Sequence, residues 1–131
     1  MKLPKPLATL VLAYALCSLI HFVHNAEFLA EYPNMPAWLS RGGVYLAWLG
    51  LTAIGALGYV LFRNGYRVAG LLLVAVYGFL GLDSLGHYTL APFSAHTAAM
   101  NLTIVADVAT AALVLIGSLV AIARRGAKER A

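Results

Sequence analysis

Asp83 and His87 stand four residues apart near the end of an apolar run that begins at Val68. On a helix this spacing puts both side chains on one face, one turn apart. An ionised carboxylate inside an apolar run is costly unless it is paired, ligated or solvated, so something in the chain must meet Asp83. His21, His24 and Asn25 keep the i, i+3, i+4 spacing of one helical face, and His96, Asn101 and Asp107 follow later in the chain. Imidazole and carboxylate are the donor set of a transition-metal site and suit copper, zinc or iron; four histidines with two such aspartates exceed the needs of one tetrahedral ion. The competing reading is structural, with Asp83 and His87 as an ion pair that fixes helix packing.

The elements that must position these groups are membrane helices. The chain has 131 residues, of which 62% are hydrophobic and only 11% charged, against about half and a quarter in soluble domains. Four apolar stretches allow about four spanning helices of roughly 20 residues each, which is one domain with no room for a second. The segmentation predicts helices over about 7–31, 36–63, 68–90 and 96–123, with a basic tail at 124–131. Tyr32-Pro33-Asn34-Met35-Pro36-Ala37-Trp38 breaks the first helix from the second and has the composition of chain lying at the membrane–water interface. Gly50, Gly55 and Gly58 of the second helix permit close helix approach, either within the chain or in a homo-oligomer or with a partner subunit. The start of the chain looks like a signal peptide, but its apolar run reaches Val23 and no small-x-small site follows, so it reads as a helix that stays attached. The single cysteine, Cys17, excludes a disulfide within one chain and reads as a small buried hydrophobe.

Basic residues orient the bundle. Lys2, Lys5, Arg63, Arg67 and the four in the tail fall on one side, and only Arg41 on the other, a positive-inside pattern that puts both termini in the cytoplasm. The net charge of +4 is then an anchor for anionic headgroups and not a nucleic-acid surface. Every histidine, and every acid except Glu129, lies in the outer half. Helix rise places Asp83 about 10 Å and Asp107 about 9 Å below the outer surface, level with His21. His24, Asn25, His87 and Asn101 form a second layer nearer the surface, with His96 and Glu27 above it. If His96 is helical, it shares a stripe with Met100 and Asp107.

Two partial resemblances bear on the chemistry. Asp83-x3-His87-x8-His96 resembles a copper site of the particulate methane and ammonia monooxygenase family, in which Asp and His one turn apart on a membrane helix are joined by a later His; the likeness covers about 14 residues, the second spacing differs, and it implies copper. Leu19-Ile20-His21-Phe22-Val23-His24-Asn25 resembles the His-containing helix of the emopamil-binding-protein (EXPERA) superfamily. That likeness implies a small membrane bundle with an aromatic pocket for a lipophilic molecule. The family carries Glu four residues after the His where this chain has Asn25, so an acid–base pair would have to come from Asp83 or Asp107.

The sequence thus predicts an all-α, integral membrane four-helix bundle, in a bacterial inner membrane, with a His/Asp site facing outward. The primary reading is transition-metal binding by His21, His24, Asp83, His87, His96 and Asp107, with His21 and His87 as principal ligands, the carboxylates ligating or orienting the rings and His96 as a lid; Asn25, Glu27, Tyr88 and Asn101 orient the ligands from behind. The alternatives are a pocket for a small lipophilic molecule, and an accessory subunit whose polar layer only locks helices together.

Overall fold

The structure is a computed structural model that describes residues 3–128; Met1, Lys2 and Glu129–Ala131, on which part of the charge pattern rests, lie outside the described residues. Among the described residues there is helix and no strand. Helix α1 runs Lys5–Glu27, α2 Arg41–Arg63, α3 Arg67–Leu80, α4 Gly86–Leu90 and α5 Ala98–Lys128. A 3-10 segment, Gly81–Leu85, joins α3 to α4 so that Arg67–Leu90 forms one rod, and four rods are long and apolar enough to cross a membrane.

Each boundary has a local cause. Pro4 and Pro6 start α1, where a missing N–H does no harm. The helix stops at Glu27, four residues short of the expected end, and passes through a 3-10 turn at Leu29–Glu31. Helix α2 begins at Arg41 instead of near Pro36, because Ser40 caps it: the Ser40 Oγ accepts a hydrogen bond of 3.1 Å from the Gly43 N–H. Its far end closes on Gly65, whose φ of +97° is a backbone state that glycine adopts without strain. Thr97 caps α5, its Oγ1 accepting from the Met100 N–H at 3.2 Å. Helix α5 does not stop near 123; Arg124, Arg125 and Lys128 belong to its last turns, so the expected basic tail is helical as far as described.

The inward stripes follow the helical period. Leu7, Tyr14, Ser18, His21 and Asn25 are buried on α1, and Met100, Ile104, Asp107, Ala111, Val114 and Ser118 on α5. Helix α3 is the most buried, packed between α2 and α5, while α1 lies against α5 and touches α2 less extensively. Close approach of α3 depends on glycine. A Cβ on Gly70 would meet the Phe62 N at 2.5 Å and the Gly58 O at 2.7 Å, and one on Gly78 would meet the Ala111 O and Leu115 N at 2.7 Å. Gly55 and Gly58 serve this contact within the chain, whereas Gly50 faces open space. The outward faces are apolar (Leu12, Leu16, Ile20, Leu46, Leu57, Leu102 and Ile116 are exposed) and compatible with lipid. Cys17 is a half-buried free thiol.

Candidate functional site

All four histidines gather at the end of the bundle opposite Lys5, Arg63 and Arg124, on three separate pieces of chain. His21 lies on the buried stripe of α1, and its ring meets that of His87 with centroids 5.3 Å apart. His87 is in turn 6.2 Å from His96 and 4.9 Å from Tyr32, and His96 is 5.4 Å from Tyr88. The result is a continuous run of imidazole and phenol rings.

Hydrogen bonds set the direction of each ring. The Asn25 Nδ2 donates to the His87 Nε2 at 2.9 Å, so the His87 ring proton sits on Nδ1. The Thr103 hydroxyl donates to the Met100 carbonyl at 3.0 Å; its oxygen therefore accepts from the His21 Nδ1, at 3.4 Å, and leaves the His21 Nε2 lone pair open. The His96 Nδ1 donates to the Pro92 carbonyl at 3.0 Å, and its buried Nε2 has no partner. His24 is half-buried and shares a 2.9 Å hydrogen bond with the Tyr32 hydroxyl. Burial pushes the Tyr32 phenol up to about 12, so it keeps its proton across the physiological range. The Tyr88 hydroxyl donates to the Asn101 Oδ1 at 2.9 Å, and the Asn101 amide donates to the Phe93 and His96 carbonyls, which pins the turn that carries His96.

The two aspartates do not join this run as their spacing predicts. Residues 81–85 are wound as a 3-10 helix, in which positions three apart share a face. Gly81, Ser84 and His87 therefore point inward together, and Asp83 turns out to an exposed position. The expected α-helical face of Asp83 and His87 does not exist, and the expected layer of His21, Asp83 and Asp107 is not formed. Ser84 takes the inward place, donating a 2.6 Å hydrogen bond to the Asp107 Oδ2. Asp107 is 0% exposed, and its Oδ1 has no partner. Glu27 lies away from the rings, at the surface, bonded to Arg41 at 2.8 Å and to the Tyr45 hydroxyl at 2.6 Å. His96 precedes α5 in extended backbone, so it is not on the helical stripe that Met100 and Asp107 share. Among the described residues, no group of three or more His, Cys, Asp or Glu side chains could hold a metal ion.

A cavity of about 370 Å³ is bounded by α1, α2, the segment that connects them and residues 80–87, within the range of small-molecule sites. Its walls are apolar and aromatic: Phe22 from α1, Met35, Trp38 and Leu39 from the connecting segment, and Val44, Ala47 and Leu51 from α2. One end is polar, lined by His21, Asn25, Ser84 and His87, with Asp83 on the same wall. The Asn25 Oδ1 is buried there without a partner. Asn34, with a φ of 57° that asparagine tolerates, ties the connecting segment to the end of α4 by donating from Nδ2 to the Leu90 carbonyl at 2.9 Å.

Sequence reasoning missed three contributors. Ser84 was overshadowed by its charged neighbour, Tyr32 was read only as an interfacial aromatic, and Thr103 had no distinguishing pattern beyond lying three residues from Met100. No family model, no curated protein and no solved structure matches this chain.

Proposed function

We propose that the chain is an integral membrane protein whose α1–α2 cavity holds a small lipophilic molecule, with the molecule's polar group at the end formed by His21, Asn25, Ser84 and His87. Four apolar rods with apolar outer faces support insertion. The basic residues Lys5, Arg63, Arg67, Arg124 and Arg125 then anchor the cytoplasmic side, leaving both termini inside and the histidines facing out. The cavity carries the reading, because apolar walls with a few convergent polar groups at one end are the chemistry of an amphiphile site. Two features make the polar end receptive: the open Nε2 lone pair of His21 and the unpartnered Asn25 Oδ1. Ser84 links this end to the buried Asp107, so a carboxylate acts on the cavity through one hydroxyl.

The test is extraction of the membrane-purified protein into organic solvent and mass spectrometry of the extract, wild type beside Ala47→Phe. The expected result is one low-mass lipophile at about one per chain, depleted in Ala47→Phe because the phenyl ring narrows the cavity. Absence of any such compound from the wild type, together with no change in Trp38 fluorescence on titration with hydrophobic probes such as 1-aminoanthracene, removes the reading.

A second reading, metal binding, is favoured by one observation. His96 is 7% exposed, its Nδ1 is fixed on a carbonyl, and its Nε2 lone pair is unused; this is how proteins orient an imidazole toward a metal. Copper, zinc or iron is the ion that imidazole suits. Elemental analysis of protein purified without chelator should then find metal that disappears in His96→Ala. No metal after incubation with all three ions sets this reading aside.

A further inference from the structure

The opposite end of the bundle holds a second cavity, of about 350 Å³, between the start of α1 and the end of α5. Its walls are apolar, with Leu7 and Leu10 on α1, Phe62 and Leu71 at the α2–α3 turn, and Val120 and Ala121 on α5. Arg124 and Arg125 close it on one side. Gly117, Val120, Ala121 and Arg124 follow one another at helical spacing, so the backbone of Arg124 stands about 10 Å along the axis from the glycine that opens the apolar end. Lys5, Arg63 and Arg67 lie at this end too, and among the described residues every carboxylate lies toward the other end.

We infer that this groove binds an anionic phospholipid, with one acyl chain along Leu7, Leu10 and Val120 and the phosphate on Arg124 and Arg125. The charge of the rim selects the head. A guanidinium matches phosphate oxygens bidentately and keeps its charge at any working pH, and basic pockets between membrane helices on the cytoplasmic side suit phosphate headgroups. The depth selects a lipid over a free anion, because an apolar wall about two helical turns deep contributes nothing to holding inorganic phosphate. Gly117 keeps the wall open: a Cβ there would stand 3.3 Å from the Leu7 Cδ1 and 3.5 Å from the Leu10 Cδ1. The inference rests on membrane insertion and not on the α1–α2 cavity, and the two ends are loaded independently.

The experiment is native mass spectrometry of the full chain, extracted from the membrane fraction, delipidated, and offered equal phosphatidylglycerol and phosphatidylcholine. The expected result is about tenfold preference for phosphatidylglycerol, falling to parity in Arg124→Gln/Arg125→Gln. Arg124 is exposed and Arg125 half-buried at the end of α5, so the fold of the double variant is checked by circular dichroism; Ala121→Trp, which narrows the groove, should lose both lipids. Three outcomes overturn the inference: parity in the wild type, a preference unchanged by the double variant, or displacement of the lipid by millimolar inorganic phosphate. Recovery of the protein in the soluble fraction instead removes the insertion reading itself.

Discussion

Gly70→Leu destabilises the protein by about 3 kcal/mol or more, whereas Gly50→Ala is neutral or slightly stabilising. The difference lies in what a new side chain meets. At Gly70 the nearest atoms are the backbone N of Phe62 and the backbone O of Gly58, neither of which can rotate away. The α2 and α3 backbones would have to separate, and α3 is the helix on which both α2 and α5 are packed. If the bundle sits in lipid, where helices have no hydrophobic drive between them, such close van der Waals contact is the main attraction, and separating the backbones removes it along the whole interface. At Gly50 there is nothing within 4 Å, and alanine only removes backbone freedom. Unfolding by detergent titration, followed by circular dichroism, measures both. Equal midpoints for the two variants would show that α2 and α3 are not held by this contact.

Much of the fold was legible because its helices are long, apolar and of fixed rise. The four stretches appear where hydropathy puts them, and the second, Arg41–Arg63, ends at the predicted residue because Asn64-Gly65 is an unambiguous turn. Its start falls at Arg41 and not at Pro36 because the stronger signal is Ser40, a hydroxyl three residues before the N–H it accepts from. The inward positions of His21, Asn25 and Asp107 are legible because they fall on regular α-helical stripes. Asp83 was misplaced because an i, i+4 argument holds only while the helix keeps 3.6 residues per turn. Gly81 sits against the Tyr14 hydroxyl and leaves no room for a Cβ; from there to Leu85 the chain is wound at three per turn. A shift of that kind leaves no trace in apolar periodicity, since it reassigns only which of two polar neighbours faces inward. The link between His24 and Tyr32 crosses the helix end into irregular chain, where no period applies.

The exchange of Asp83 for Ser84 leads to the second large effect. Ser84→Ala removes the hydrogen bond that the Asp107 side chain accepts and leaves the carboxylate buried with neither oxygen partnered. The expected loss is about 2 kcal/mol, the usual scale for a buried hydrogen bond to a charged group. Asp107→Leu should behave in the opposite sense. Leucine keeps the branched shape, though it is bulkier, and takes no charge into the core, and so should be neutral or stabilising. In the double variant the loss caused by Ser84→Ala should vanish, since there is no longer a carboxylate to satisfy; a detergent-titration double-mutant cycle measures this as a coupling near the full single-variant effect. The comparison also separates structure from function. A bundle that is more stable without Asp107 is not using the carboxylate to hold its helices together. If Asp107→Leu is stable and yet fails to retain the lipophile, the carboxylate serves the cavity through Ser84. If it is stable and retains the lipophile in full, Ser84 and Asp107 form a polar pair with no part in binding, and His21, Asn25 and His87 alone make the polar end. If Asp107→Leu is instead strongly destabilised while the cycle still shows that coupling, the pair holds the helices together.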